Sequence, residues 1–343
     1  MTMNLKINTR FKYSQLTGVQ RYAFESIKRM SIPYQEVAPR KSLGGISSHL
    51  WEQIILPSSI HKDDLLWSPA NTSPMFIKRQ VVTIHDATVL DHPEWFKSSF
   101  AIYYNLMWKK ITQNAEYIIT DSNFSLDSLI KFYPHVRKKI ITIPLGVDAK
   151  FMGVTEQKEI EAKVKYGLPN RYVLSLGSLE SRKNLKSLFH AWEAWEDRPV
   201  DLLLVVAGGR GKNFSGLGFD KIPSGIQLIG RVEDEYLPGL YSGASVFVFP
   251  SFYEGFGLPP LEAMAVGTPV ICSNTSSLPE VMGSACLYID PAKPHTILSA
   301  MRGLIFDEQL QYELADAGKE RAKQFSWEKT VKITEQILQK AME

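Results

Sequence analysis

Short apolar runs alternate with longer segments of helical character along the whole chain. This alternation is expected of parallel β-strands that are joined by helices covering both faces of a sheet. The candidate strands form two groups, residues 5–9, 36–38, 65–67, 81–85, 117–120 and 140–144, and residues 172–176, 202–207, 226–229, 246–249, 270–272 and 286–289. We therefore predict an α/β protein with two doubly wound parallel sheets, one in each half of the chain.

The length of 343 residues is more than one hydrophobic core usually serves, which also favours two domains. The two groups of strands are separated by residues 145–148 and by the polar, charge-rich segment 155–165. Such a segment is typical of a domain boundary. We place the first domain at residues 1–150 and the second at residues 151–325.

Composition and charge exclude several classes of protein. The chain has 39 basic and 36 acidic residues, and this net charge of +3 is too balanced to indicate nucleic-acid binding. No apolar stretch approaches the roughly 18 residues of a membrane-spanning helix, and the first residues lack a signal-peptide core, so we expect a cytoplasmic protein. Cys272 and Cys286 are expected to be buried, reduced thiols. The sequence contains neither an Asp-x-Asp motif nor His and Cys at metal-ligand spacing, so we expect no metal and no other cofactor.

The run 250–262 is the most informative for function. It leaves an apolar strand, crosses a loop with two glycines and enters a helix whose first turn contains Pro259 and Pro260. Free N–H groups at a helix start and the positive end of its dipole favour a phosphate. Glu254 precedes this anion site and Glu262 follows it. A nucleotide-sugar, with hydroxyls at both ends and phosphates in the middle, fits that order.

Adjacent cations, Arg182 and Lys183, follow the first strand of the second domain. Most such pairs are solvated surface charges. The carboxyl end of a parallel strand is, however, where doubly wound domains bind their ligands. Two fixed cations there would stabilise the charge that develops on a departing diphosphate.

The run from Pro250 to Val270 resembles the donor-site motif of retaining glycosyltransferases of the GT-B fold, in particular family 4, also called glycosyl transferases group 1. The loop 182–184 and residues 85–96 resemble the mannosyl- and rhamnosyltransferase branch of that family. The resemblance implies two facing Rossmann-like domains with a cleft between them, the first binding the acceptor and the second the nucleotide-sugar. It also implies that a last helix, over residues 326–343, returns to the first domain.

The resemblance further assigns roles to residues of the second domain. Glu254 would hold hydroxyls of the transferred sugar, Glu262 the hydroxyls of the ribose, and Arg182 with Lys183 the diphosphate. The other implied donor-binding positions are Gly177, Gly230, Val232, Gly255, Phe256, Gly257 and Leu258. One position departs from the family pattern, because many members carry arginine directly after the glycine that ends the strand, where this chain has Ser178.

The first domain offers weaker candidates. By resemblance His85 would face the sugar, whereas a neutral, hydrogen-bonded imidazole and a capping role for Asp86 are the ordinary alternatives. Gly18 permits a tight turn against a phosphate or a sugar. Segment 95–110 suits either a lipid-linked acceptor or membrane surface, or a helix with one buried and one hydrated face, and we favour the latter. The glycine spacing in 205–212 excludes a dinucleotide fingerprint and a P-loop, and favours a scaffold turn near the nucleotide.

The function implied by the resemblance is retaining, metal-independent transfer of a hexose from a nucleoside-diphosphate sugar, with GDP-mannose or a rhamnose donor favoured. The expected acceptor is a hydroxyl of a glycan or lipid-linked glycan in bacterial surface polysaccharide or O-antigen assembly. Partners would then include the inner face of the membrane but no nucleic acid. Two alternatives stay open: a noncatalytic nucleotide-sugar-binding protein, and a glycoside hydrolase with Glu254 and Glu262 as its carboxylate pair.

Overall fold

The computed structural model describes residues 4–14, 16–178, 180–208 and 222–343. The chain forms two compact units, one comprising Met1–Gly146 together with Ser326–Glu343, and the other Val147–Phe325. The first unit thus ends at Gly146, where the sequence placed the boundary at residue 150. Most of the glycine loop that we interpreted as a scaffold turn, residues 209–212, lies outside the described residues.

The first unit contains a six-stranded parallel sheet in the order β2-β1-β3-β4-β5-β6. Its strands are β1 (Leu5–Asn8), β2 (Tyr34–Val37), β3 (Leu65–Ser68), β4 (Gln80–Thr83), β5 (Tyr117–Thr120) and β6 (Ile140–Thr142). β3 and β4 are buried along their whole length because helices cover both faces of the sheet. The strand order reverses between β1 and β3, which makes this edge of the sheet a topological switch point.

Helices pack on both faces of this sheet. They are α1 (Gly18–Arg29), α2 (Gly45–Leu50), α3 (Leu56–Ser58), α4 (Thr88–Asp91), α5 (Ser98–Asn114), α6 (Asn123–Phe132) and α14 (Trp327–Met342). A π-helical turn, Trp51–Ile55, connects α2 to α3. Met107, Trp108 and Ile111 on the buried face of α5 belong to the apolar core of this unit.

The last helix, α14, completes the first unit, as the resemblance implied. It contacts α1, β3 and β4. The Ser326 hydroxyl caps this helix by accepting a hydrogen bond from the Lys329 N–H (3.3 Å). Trp327 is buried, and the hydroxyl of Thr330 donates to the Pro144 carbonyl (2.7 Å).

The second unit contains a six-stranded parallel sheet in the order β12-β11-β10-β7-β8-β9. Its strands are β7 (Arg171–Leu176), β8 (Leu202–Ala207), β9 (Ile226–Gly230), β10 (Val246–Phe249), β11 (Val270–Ser273) and β12 (Leu287–Ile289). Its helices are α7 (Glu156–Tyr166), α8 (Leu185–Glu193), α9 (Leu237–Ser242), α10 (Leu258–Val266), α11 (Leu278–Met282), α12 (Pro294–Ile305) and α13 (Glu308–Ala322). The order reverses between β7 and β10, which pair directly.

Every predicted strand corresponds to an observed strand. β2 begins at Tyr34, two residues before the predicted range 36–38, and β4 ends at Thr83, two residues before the end of the predicted range 81–85. β2 is an edge strand that pairs only with β1 in the described sheet, and its residues are partly exposed, so its apolar pattern is weak. Both cysteine thiols are buried and free, with 3.4 Å between the two sulfurs.

Within the described residues, no helix is both long enough and apolar enough to cross a bilayer.

A substitution at Gly146 would test how closely α14 packs on the rest of the first unit. A Cβ at Gly146 would lie 2.1 Å from the backbone nitrogen of Trp327, which cannot move away like a flexible side chain. Gly146→Ala is therefore expected to lower the free energy of unfolding by about 1–3 kcal/mol or more through overpacking. Urea denaturation measures this.

The matched control is Gly44→Ala, because a Cβ at Gly44 would meet no atom within 4 Å and its φ of −98° suits alanine. Equal stability of the two variants would show that α14 is not held as tightly as the geometry indicates.

Candidate active site

Two loops meet at the switch point of the second sheet. One loop follows β7 and contains a 3-10 turn, Ser181–Lys183. The other follows β10 and leads through Gly257 into α10. In doubly wound sheets, the crevice beyond the strand ends at such a point is where ligands bind. The predicted cations and Glu254 thus lie on the two loops that flank the crevice.

Asn184 joins the two loops. Its side-chain amide donates to the carbonyl oxygens of Pro250 (3.1 Å) and Pro291 (2.7 Å). The N–H of Phe252 donates in turn to the carbonyl oxygen of Arg182 (2.8 Å). Asn184 is buried and has a φ of 56°, in the left-handed region that asparagine tolerates better than most residues. The position of the cation-bearing turn is therefore fixed by an amide side chain and by backbone contacts.

Arg182, Lys183 and Glu254 form a close ionic cluster. Lys183 Nζ lies 2.6 Å from Glu254 Oε1, and Arg182 Nη1 lies 3.3 Å from Glu254 Oε2. Arg182 Nε also donates to Glu180 Oε2 (2.7 Å). The Lys183 and Glu254 side chains are only 12% and 10% exposed, so the ionic contacts are little screened by solvent.

Opposing effects set the protonation of this cluster. Burial disfavours the charged form of Glu254, but the charges of Lys183 and Arg182 outweigh burial and hold the pKa of Glu254 below its ordinary value. Burial lowers the pKa of Lys183, and Glu254 opposes that shift. Glu254 is thus an anion at neutral pH. A glycoside hydrolase would need a carboxyl group that keeps its proton, and Glu254 does not suit that role.

The backbone of Glu254 is fixed by two serines that sequence reasoning missed. The Glu254 N–H donates to Ser276 Oγ (3.0 Å), and the Ser277 hydroxyl donates to the Glu254 carbonyl (2.8 Å). Both serines precede α11 in the loop that leaves β11. The carboxylate is therefore placed by backbone contacts and by its two cationic partners.

Helix α10 begins at Leu258, as predicted from Pro259 and Pro260. Its cap residue, Gly257, has a φ of 104°, and a Cβ there would lie 2.7 Å from Leu278 Cδ2. Glycine is thus required at this position by the backbone conformation and by packing. Phe256 is buried and its ring contacts that of Phe325, with 5.7 Å between centroids. The loop 255–258 is thereby held rigidly at the amino end of a nine-residue helix.

Glu262 lies within α10 and is buried. Tyr241 donates its hydroxyl to Glu262 Oε2 (3.0 Å). Glu254 and Glu262 thus have different partners, a pair of cations in one case and a phenol in the other. This difference in surroundings favours different roles for the two carboxylates.

Glycines gather at the carboxyl ends of β7, β8 and β9. The Gly177 N–H donates to the Ala207 carbonyl (3.0 Å), and the Gly208 N–H donates to the Gly230 carbonyl (2.6 Å). A Cβ at Gly208 would lie 2.6 Å from the Gly177 oxygen, so these strand ends approach too closely for side chains. Val232, two residues beyond Gly230, is half-buried. The predicted positions Gly177 and Gly230 thus both lie along the carboxyl ends of the strands of the second sheet.

In the first unit, His85 is buried and both of its ring nitrogens are occupied. Nδ1 lies 2.8 Å from Asp121 Oδ2 and Nε2 lies 3.0 Å from the Pro69 carbonyl. Because that carbonyl can only accept, Nε2 carries a hydrogen. Burial opposes a charge on the ring, but Asp121 outweighs it and raises the pKa of His85. A contact between His85 and a sugar stays a prediction.

The other candidates of the first unit have local structural roles. Asp86 Oδ1 accepts from the N–H of Thr88 (2.8 Å), which confirms the capping alternative for Asp86. Gly18 is the first residue of α1, directly after the cap residue Thr17. The predicted contact of Gly18 with a phosphate or sugar stays a prediction.

Comparison with known proteins identifies the class. The model of the family described as glycosyl transferases group 1 matches residues 156–324. O-antigen chain mannosyltransferase B of Escherichia coli is 34% identical over 275 residues, which cover 78% of this chain and 72% of that protein. The serotype-specific mannosyltransferase WbdA of Escherichia coli is 32% identical over 230 residues, covering 64% of this chain but only 28% of WbdA.

Among solved structures, HepE from Anabaena in complex with UDP and glucose matches with a TM-score of 0.76 and 15% identity, covering 99% of this chain and 100% of HepE. The fold is that of the GT-B glycosyltransferases. The chain belongs to the glycosyl transferases group 1 family, and it is a glycosyltransferase of the hexosyltransferase type.

Asn184 allows a test of the junction between the two loops. Asn184→Gly keeps the left-handed backbone but removes both hydrogen bonds, and is expected to cost about 1–3 kcal/mol of unfolding free energy. Asn184→Asp should cost more, because its carboxylate would face two carbonyl oxygens. Unlike glycine, aspartate also offers no relief of the left-handed backbone conformation. Urea denaturation compares the two variants.

Asn170→Asp is the control, since Asn170 lies in the same unit and is exposed. If Asn184→Asp were no less stable than Asn170→Asp, the amide would not be what joins the loops.

Proposed function

We propose that the protein is a retaining, metal-independent glycosyltransferase that transfers a hexose, with mannose favoured, from a nucleoside-diphosphate sugar to a hydroxyl of a glycan or lipid-linked glycan. The observation that carries the proposal is the cluster of Arg182, Lys183 and Glu254 beside the start of α10. The pathway it would serve is assembly of a bacterial surface polysaccharide such as O-antigen.

The cations suit the leaving group. Cleavage of the bond between sugar and diphosphate adds negative charge to the diphosphate, and the Arg182 and Lys183 side chains are already fixed and partly desolvated. Fixed charges in such a setting stabilise a transition state without reorganising. The Glu254 carboxylate keeps the two cations together before the donor arrives, and in the complex it would share them with the phosphate.

The second proposed element is the loop 255–258, whose amides would bind phosphate and sugar at the start of α10. Glu262 would accept hydrogen bonds from the ribose hydroxyls, since a carboxylate can engage two hydroxyls at once. Backbone groups near Gly230 and Val232 would hold the base. Support comes from the close approach of the carboxyl ends of β7, β8 and β9 at Gly177, Gly208 and Gly230.

The preference for mannose rests on the relatives, two of which are named as mannosyltransferases. Metal independence rests on the cation pair, which supplies the positive charge that a metal ion would supply elsewhere. Across the described ranges, no group of three or more His, Cys, Asp or Glu residues is placed to hold a metal ion.

The proposal of retention is supported by the resemblance of the run from Pro250 to Val270 to the donor-site motif of retaining glycosyltransferases. Glu254 is bound by two cations, so we do not assign it as a nucleophile. In the proposed step, the acceptor oxygen forms a bond to the anomeric carbon on the face from which the diphosphate departs. The bond from that carbon to the phosphate oxygen breaks, and the departing phosphate takes the proton of the acceptor hydroxyl.

Kinetics of two variants test the assignment. Lys183→Ala should lower kcat about a hundredfold or more, as loss of one hydrogen-bond donor to the transition state does in other enzymes. The KM for the sugar donor should change little. Glu262→Ala should mainly raise the donor KM, because ribose contacts are the same in ground and transition states. A panel of GDP, UDP, dTDP and ADP sugars, screened first by thermal stabilisation, supplies the donor.

Lys186→Ala, an exposed lysine of α8, is the control and should behave like the unaltered protein. The assigned site would be wrong if Lys183→Ala and Glu262→Ala both kept normal donor kinetics.

We also propose peripheral membrane contact through the first unit. Helix α5 has the buried face that the sequence predicted. Its other face is not uniformly polar, because the side chains of Ile102 and Leu106 are about 60% exposed there. Ile46 and Leu50 of α2, which packs beside α5 through His49 and Tyr103, are exposed as well. The exposed lysines Lys109 and Lys110 of α5, and Lys97 directly before it, complement anionic head groups.

Leu106→Asp is expected to weaken sedimentation of the protein with vesicles that contain phosphatidylglycerol, since it places a negative charge among exposed apolar groups. Val164→Asp, an equally drastic change at an exposed position of the second unit, should not. Equal vesicle binding by both variants would contradict this contact.

A further inference from the structure

The two cysteines of the chain lie side by side in the second unit. Cys272 is in β11, and Cys286 directly precedes β12, the neighbouring strand of the sheet. Cys272 pairs with Tyr288, and Cys286 lies two residues before Tyr288, which brings both thiols to the same face of the sheet. The two sulfurs are 3.4 Å apart, close enough for a hydrogen bond between the thiols.

The two thiols differ in access and in acidity. Cys272 is completely buried, whereas the side of Cys286 keeps 6% exposure. A hydrogen bond from the Cys272 thiol lowers the pKa of Cys286, burial opposes this shift, and the Tyr288 hydroxyl supports it. Burial raises the pKa of Cys272, and the contact with Cys286 raises it further. Cys286 therefore forms the nucleophilic thiolate more readily, and Cys272 is held beside it with its proton.

We propose that Cys272 and Cys286 form a reversible disulfide when the protein meets hydrogen peroxide. The Cys286 thiolate attacks one peroxide oxygen, so that a sulfur–oxygen bond forms, the oxygen–oxygen bond breaks and hydroxide leaves. The Cys272 sulfur then attacks the sulfenic sulfur of Cys286. The sulfur–sulfur bond forms, the sulfur–oxygen bond breaks, and the second oxygen leaves as water with the Cys272 proton. Two electrons pass from the thiols to peroxide, and a dithiol reductant returns them.

Closing this bond needs only a small movement. A disulfide bond is about 2.05 Å long, so the two sulfurs approach by roughly 1.4 Å from their present contact. Cys286 lies outside the strand ladder, in a short segment between the end of α11 at Met282 and the start of β12 at Leu287. Movement of this segment therefore breaks no pairing between β11 and β12.

The stretch of chain between the two cysteines includes the serines that hold Glu254. Ser276 Oγ accepts from the Glu254 N–H (3.0 Å), and the Ser277 hydroxyl donates to the Glu254 carbonyl (2.8 Å). Ser276 has a φ of 55°, a left-handed conformation that residues with a side chain rarely adopt, so this turn has little freedom to relax. A disulfide that closes residues 273–285 into a covalent loop therefore shifts the support of Glu254.

The consequence for sugar transfer rests on the function proposed above. Glu254 contacts Lys183 and Arg182, which are proposed to stabilise the departing diphosphate. A misplacement of about 1 Å can lower a catalytic rate by a hundredfold. The oxidised protein is accordingly the slower form, and reduction restores the faster one.

The experiment treats the reduced full chain with hydrogen peroxide and then with dithiothreitol. Because the chain has two cysteines in all, thiol titration after denaturation counts both of them. We expect both thiols to disappear, and peptide mapping by mass spectrometry to find residues 272 and 286 joined with the loss of two hydrogen atoms. Dithiothreitol should restore both thiols. Methionine sulfoxide, the competing product of peroxide, adds an oxygen atom and is identified on separate peptides.

Two single variants are matched controls for the order of reaction. Cys286→Ala leaves only the completely buried thiol, which should remain titratable after the same treatment. Cys272→Ala leaves Cys286 without a resolving thiol, so its sulfenic acid should persist and be labelled by dimedone, far more than in the unaltered protein. Peroxide should lower kcat of the unaltered protein about tenfold, reversibly, and leave kcat of Cys286→Ala unchanged.

Survival of both thiols in peroxide would overturn the proposal and reduce the pair to a packing contact, and this measurement needs no variant. Oxidation of Cys286 to a sulfinic or sulfonic acid instead of a disulfide would overturn it as well. A disulfide that forms without changing kcat would overturn the inferred effect on Glu254. A reduced protein that transfers no sugar, yet forms and breaks the disulfide, would instead contradict the proposed function.

Discussion

The contact between the Glu254 carboxylate and the side chains of Arg182 and Lys183 is the interaction on which the second unit's site depends. Both cations lie within 3.3 Å of this carboxylate at the end of a parallel sheet, with little solvent to screen the charges. Removing one member of such a set leaves a buried charge less well compensated. The surrounding loops consequently have to be rigid, and Asn184, Ser276 and Ser277 supply that rigidity through hydrogen bonds to the backbone.

The two units use the same structural principle with different chemistry. In each, a buried carboxylate lies at the reversal of strand order and binds an arginine, Glu254 with Arg182 and Glu52 with Arg10. In the second unit Arg182 also binds Glu180 and Lys183 adds a second cation, so two cations face two carboxylates. In the first unit Arg10 faces the carboxyl group of Glu52, and burial of that group raises its pKa against the opposing effect of Arg10.

The sequence predicted the architecture well because buried parallel strands are continuous apolar runs, which stand out in any window. It also predicted that Arg182, Lys183 and Glu254 follow strands of the second sheet, where doubly wound sheets carry ligand-binding residues, and the structure has them on the loops after β7 and β10. The partners of those residues were less accessible. That Glu254 binds the two cations, that Asn184 crosses to two proline carbonyls, and that Glu52 binds Arg10 all depend on contacts between residues far apart in the chain. No local pattern records them.

The first unit is built from both ends of the chain, and the second lies between them as one continuous stretch. A ribosome releases Val147–Phe325 before α14 exists, so the second unit can fold during synthesis while the first waits for its last helix. Until Trp327 is synthesised, its packing site against Tyr22 and the adjacent sheet exposes apolar surface to solvent. The half of the molecule that is translated first is therefore the half that matures last.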